Sequence, residues 1–192
     1  MQICLQSLEQ EFGFKIIGLN QLGGEFPDVD EDGSNPLDNA KKKAYAYYEI
    51  IKKPVFSIDS GLYFEELPDE LQPGLEVRRV NGRRLTDKEM ISHYSMLAEI
   101  NGGRITGRFV NGICLIMDVG KVYEHTGDDI STEKFYIVAK PHDIKVEGFP
   151  LDSLSVHIKS GKYYYDLNLD KEDAWDTDSG FRKFFRSAIS GL

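Results

Sequence analysis

The amino-acid sequence predicts an α/β domain built around a mixed sheet. Two observations carry this: apolar residues recur at helical spacing in several stretches, and apolar runs of strand length lie between those stretches. A third concerns size, since 192 residues that are 41% hydrophobic and 11% aromatic can bury a packed core in one domain, or in two small lobes around a shared core.

In chain order, Met1, Leu5, Leu8 and Phe12 share one helical face with Cys4 beside them, and Gly13 breaks the pattern before an apolar run at residues 14–19. This predicts helix, turn, strand. Residues 22–35 are rich in Gly, Asp and Pro and read as a loop ending at Asn35, an N-cap residue, with Pro36 at the first helical position. In the helix that follows, Ala40, Ala44, Tyr47 and Ile51 share the inward face, while Lys41, Lys42 and Glu49 are left for water. Pro54 ends it before a strand at residues 55–58, which closes in Asp59, Ser60 and Gly61.

Thr86 with Glu89 three residues on is a capping-box pattern, and predicts a helix over residues 86–100 stopped by Asn101, Gly102 and Gly103. Residues 104–118 alternate and then become continuously apolar, as does a strand passing from a sheet edge into a buried centre. Gly120 allows a turn into strands at residues 121–125 and 135–139. Tyr163, Tyr164 and Tyr165 read as a strand, and Phe181, Phe184, Phe185, Ala188 and Ile189 as an amphipathic helix.

Composition excludes several roles. With 23 Lys and Arg against 32 Asp and Glu, the net charge is −9, so a general nucleic-acid or anionic-membrane surface is not expected and any phosphate must be met locally. Cys4 and Cys114 show no metal-ligand spacing and are expected to be reduced thiols of a cytoplasmic protein. No stretch approaches a membrane span, and Glu9 and Glu11 stand where an export signal would be basic and then apolar.

Two clusters carry candidate chemistry. Asp28, Asp30, Glu31 and Asp32, followed by Gly33, supply the hard oxygen ligands that divalent cations need. Asp28, Asp30, Asp32 and Gly33 match the first half of a calcium-binding loop, with Asn39 where a bidentate Glu belongs; alternatively the cluster is a solvated acidic loop near a helix N-terminus. Asp59, Ser60 and Gly61 offer a carboxylate, a hydroxyl and a residue that lets phosphate approach the backbone, or simply a turn. Dinucleotide, phosphate-loop and zinc-protease motifs are absent, and His93, His125, His142 and His157 lack ligand spacing.

Together these residues resemble the inosine triphosphate pyrophosphatase family. Glu31, Gly33, Asn39, Ala40, Lys43 and Ala44 stand at its spacing; Asp59, Ser60, Gly61 and Leu62 match its next block, with Ile58 in place of a first acidic residue. Pro73, Gly74, Arg79 and Gly82 follow in order, and Gly148, Phe149 and Asp152 retain part of a later block. The resemblance implies an elongated mixed β-sheet flanked by helices, two lobes with a cleft between them, and a homodimer. It also implies Mg²⁺-dependent hydrolysis of non-canonical purine nucleoside triphosphates to the monophosphate and pyrophosphate. Glu31 and Asp59 would hold Mg²⁺, Asp59 would also position or deprotonate the attacking water, and Lys43 would be their cationic partner. Asn39, Ser60 and Arg79 would contact substrate, while Phe149 would stack on the base and Asp152 would help fix it.

The sequence departs from the family at two places. Residues 1–192 read as a single domain that lacks the family's first strand and its phosphate-binding loop. The family's Ser-His-Arg-Gly block falls at Thr177, Asp178, Ser179 and Gly180, without its His and Arg. A catalytically impaired paralogue that binds a nucleotide or partner is therefore the alternative expectation.

Overall fold

A computed structural model of the chain describes residues 5–167 and 178–190. Met1, Cys4 and Thr177 of the sequence reading lie outside the described residues. The helices are α1 (Leu5–Phe12), α2 (Pro36–Ile51), α3 (Asp87–Ile100) and α4 (Asp178–Ile189). The strands are β1 (Val55–Phe64), β2 (Arg79–Val80), β3 (Arg83–Arg84), β4 (Arg104–Asp118), β5 (Lys121–Thr126), β6 (Phe135–Val138) and β7 (Ser155–His157). The main sheet runs β1-β4-β6-β7, with β5 also on β4; β2 and β3 form a separate hairpin. Being long, β4 takes β6 antiparallel along residues 104–107 and β5 antiparallel along residues 112–118. No helix among the described residues is long and apolar enough to cross a membrane.

The chain divides into two compact units, and passes from one to the other within β1, after Ser60, and within β4, after Phe109. Unit 1 comprises Met1–Ser60, Val110–Ser131 and Asp176–Leu192. Its strands have apolar side chains on both faces, in the period of two that a pleated strand imposes. Ile113 and Leu115 join Phe56 and Ile58 in a cluster with Leu8, Phe181, Phe184, Phe185 and Ala188. Cys114 and Ile116 turn the other way, to Ala40, Ala44 and Tyr48 of α2. In unit 2, Gly61–Phe109 and Thr132–Trp175, the core gathers Leu62, Phe64, Met90, Tyr94, Ile105, Phe135, Ile137 and Leu154.

Four expectations are corrected. Residues 14–19 form no strand: the Ile16 amide donates to Glu9 Oε1 at 2.6 Å instead of to a ladder, while Phe14 and Ile16 still pack on the unit 1 core. Tyr48, not Tyr47, continues the buried stripe of α2; the Tyr47 ring meets Phe26 edge-on at 6.1 Å. Tyr163–Tyr165 are no strand, since Tyr163 makes one bridge to Val156 and a 3-10 turn covers Tyr164–Asp166. Finally, Asp59, Ser60 and Gly61 are not a turn. They lie in the middle of β1, which pairs with β4.

Candidate active site

The site is built on the first turns of α2. Asn35 caps the helix, its Oδ1 accepting the Asp38 amide at 3.0 Å, and Pro36 starts it. Gly112 on β4 lets that first turn close onto the sheet: a Cβ there would collide with the backbone of Pro36 and Leu37. Asn39 and Lys43, one turn apart, consequently sit over β1, where Asp59 lies on the face turned toward α2.

Four side chains converge. Lys43 Nζ donates to Asp59 Oδ1 at 2.7 Å and to Glu31 Oε1 at 2.9 Å. Buried Asn39 donates from Nδ2 to Asp59 Oδ2 at 3.1 Å and to the Glu31 carbonyl at 3.4 Å, and its Oδ1 accepts the Gly33 amide at 2.8 Å. Glu31 is thus tied by its side chain through Lys43 and by its backbone through Asn39. Gly33 is needed for this approach, because a Cβ would stand 2.5 Å from Asn39 Oδ1.

The Lys43 and Asp59 side chains are only 15% and 14% exposed, whereas Glu31 is 54% exposed, so the Asp59 end of the pair is the poorly hydrated one. Burial alone would lower the Lys43 pKa; hydrogen bonds to Asp59 and then Glu31 outweigh it and hold the ammonium above the ordinary lysine range. Lys43 therefore stays charged, and its positive charge offsets one of the two carboxylates.

Ser60 lies elsewhere. Strand alternation places it on the opposite face of β1 from Asp59, where its hydroxyl donates to Oδ1 of fully buried Asn111 at 2.7 Å. Asn111 in turn donates from Nδ2 to the Ile130 carbonyl at 2.6 Å. Sequence reading missed Asn111, whose partners lie 51 and 19 residues away and leave no local pattern.

The remaining candidates belong to unit 2. Phe149, 54% exposed, precedes the 3-10 turn Pro150–Leu154, and its carbonyl accepts the Asp152 amide at 3.3 Å. The Asp152 carboxyl is pushed above the usual carboxylate range by surrounding protein, an effect tempered because the residue still reaches solvent. Arg79 is exposed on the β2–β3 hairpin. Its neighbour Arg78 makes a side-chain ion pair here, with Nη1 donating to Asp87 Oδ1 at 2.5 Å.

Among the described residues no group of three or more His, Cys, Asp or Glu side chains is placed to hold a metal ion. Glu31 and Asp59 nevertheless share a cation already, the Lys43 ammonium. Their donor set fits Mg²⁺, which takes one or two protein carboxylates and completes its shell with water and phosphate oxygens.

Residues 3–134 match the model of the Ham1 family. Among curated relatives, the dITP/XTP pyrophosphatase of Malacoplasma penetrans is 30% identical over 99 residues, covering 52% of this chain and 48% of the relative. That of Geobacter sulfurreducens is 31% identical over 118 residues, covering 60% and 57%. The chain thus spans about half the length of the curated relatives it matches. The Staphylococcus aureus Ham1 protein superposes with a TM-score of 0.69 at 22% identity, over 97% of this chain and 92% of that one. A nucleoside-triphosphatase, or dITP/XTP pyrophosphatase, from Mycobacterium abscessus superposes at 0.64 and 21% identity, over 98% and 90%. At these identities the structural matches establish a common α/β fold.

Proposed function

Because the chain belongs to the Ham1 family, we propose that it is a pyrophosphatase of non-canonical purine nucleoside triphosphates such as ITP, XTP and dITP. The observation that carries this is the convergence of Asp59, Lys43 and Glu31, with Asn39 bonded to Asp59, at one place whose Asp59 end is poorly hydrated. The dITP/XTP pyrophosphatase names of the curated relatives point the same way.

In this reading water attacks the α-phosphorus, the bond to the bridging oxygen breaks, and pyrophosphate leaves with that oxygen. Asp59, oriented by Lys43 and Asn39, accepts the proton lost by the water. Lys43 compensates negative charge on the phosphates, as positioning and charge stabilisation account for most phosphoryl-transfer catalysis. Glu31 and Asp59 are the residues that would hold Mg²⁺, which when bound neutralises and orients the triphosphate. Phe149 and Asp152 take the base-contacting roles that the resemblance implies.

The test is pyrophosphate release from ITP, XTP, dITP, ATP and GTP, with Mg²⁺ and with chelator. We expect Mg²⁺-dependent release from ITP, XTP and dITP in preference to ATP and GTP, and a fall of about 10²–10⁴-fold for Asp59→Asn. Nucleotide binding in calorimetry without release of product from any triphosphate would replace this reading with that of a non-catalytic binding paralogue.

A further inference from the structure

Both polar groups of one peptide-bearing residue in unit 2 are held by a single ion pair. The Gly148 amide donates to Asp87 Oδ2 at 2.7 Å, the Gly148 carbonyl accepts from Arg78 Nη2 at 3.1 Å, and Arg78 Nη1 donates to Asp87 Oδ1 at 2.5 Å. The three groups close a ring in which each bonds the other two. Its supports are firm. Asp87 is the first residue of α3, fixed by the Thr86–Glu89 capping box, and the Arg78 carbonyl accepts the Leu85 amide at 2.8 Å. Gly148 itself has φ +85°, a conformation that glycine adopts freely and other residues resist.

What this ring holds is the peptide leading into Phe149. That ring is exposed, and the Phe149 amide is also spoken for, donating to the Val146 carbonyl at 3.0 Å. An aromatic side chain in a loop ordinarily gains by turning inward onto a core. Phe149 is instead kept at the surface by polar bonds on both sides of its α-carbon, which suits a platform for a flat ligand.

We propose that Arg78 and Asp87 are positioning residues that hold the Gly148–Phe149 peptide so that the Phe149 ring presents its face to a planar base. The identity of that base as a purine rests on the function proposed above. The pair is not part of the family resemblance, which singled out Arg79.

The experiment compares wild type with Arg78→Met, Asp87→Ala and Phe149→Ala, alone and combined. Dissociation constants are measured for inosine 5′-monophosphate, which has a base, and for pyrophosphate, which has none. Amide hydrogen exchange at Gly148 is followed by NMR. Phe149→Ala should weaken inosine monophosphate about fivefold to a hundredfold, the range of one base–aromatic stack. Arg78→Met and Asp87→Ala should each speed Gly148 exchange and weaken inosine monophosphate by at least about threefold, with pyrophosphate unaffected. Neither should add to the loss in the Phe149→Ala background. Arg78→Lys, which keeps the charge and loses the second donor, should fall between. It also serves if the larger truncations lower the melting temperature too far.

The proposal is overturned if Gly148 exchange rises while inosine monophosphate affinity stays at the wild-type value, if the losses add fully to that of Phe149→Ala, or if wild type binds no inosine monophosphate. Absence of pyrophosphate release by wild type would instead strike the proposed function, and the binding and exchange data would still decide the positioning role.

Discussion

At the scale of single residues, Asn39 does more than any charged neighbour to define the candidate site. One buried carboxamide uses its oxygen on Gly33 and its nitrogen on both Asp59 and Glu31, so it joins loop, helix and strand at once. Asn39→Ala would leave the Gly33 amide and one Asp59 oxygen without partners in a poorly hydrated place. We expect a loss of about 1–3 kcal/mol in urea unfolding, with a fall in activity beyond what the stability change explains. Lys43, Glu31 and Asn39 were legible in the sequence because they lie on one loop and the helix it enters, at fixed spacing. Arg78 and Asn111 were not, since each makes its structural contribution to a residue many positions away, with no periodicity to betray it.

At the scale of elements, what could be read was whatever is encoded locally. The capping box of α3 is an example, and it titrates. The amide and hydroxyl of Thr86, and Arg83, hold the Glu89 carboxyl at about 2, below its ordinary 4.5, with the Thr86 amide the largest cause. A carboxyl depressed in the fold stabilises it above the unfolded pKa and loses that contribution as pH falls through the folded one. Glu89→Gln should therefore be less stable than wild type at pH 6 to 7, and the gap should close as pH falls from 4.5 toward 2 in thermal melts. Strand predictions fared less evenly. The long run of β4 was found from its apolar pattern, whereas residues 14–19 have the pattern without a ladder partner, which only tertiary structure supplies. Asp-Ser-Gly misled in the opposite sense: its turn-forming composition is overridden in β1 by pairing with β4.

For the molecule as a whole, charge is the property with a direct functional consequence. A chain of net charge −9 repels a polyanionic nucleotide at long range, and salt screens that repulsion. If the proposed reaction is correct, kcat/KM at saturating Mg²⁺ should rise as ionic strength goes from about 10 to about 150 mM, opposite to an enzyme that steers its substrate with a basic surface. Composition gave the sign of this effect, and the fold adds that a largely buried ammonium, Lys43, faces the two carboxylates proposed to hold Mg²⁺. The placement of Asp59 and Ser60 on opposite faces of β1 also bears on how relatives of this chain can vary in length. A strand is read two residues at a time, so one residue inserted or deleted between Val55 and Asp59 would exchange carboxylate for hydroxyl at the α2 face. Changes there should survive only in pairs. The irregular stretch before Glu31 has no such parity, and natural insertions and deletions should collect in it.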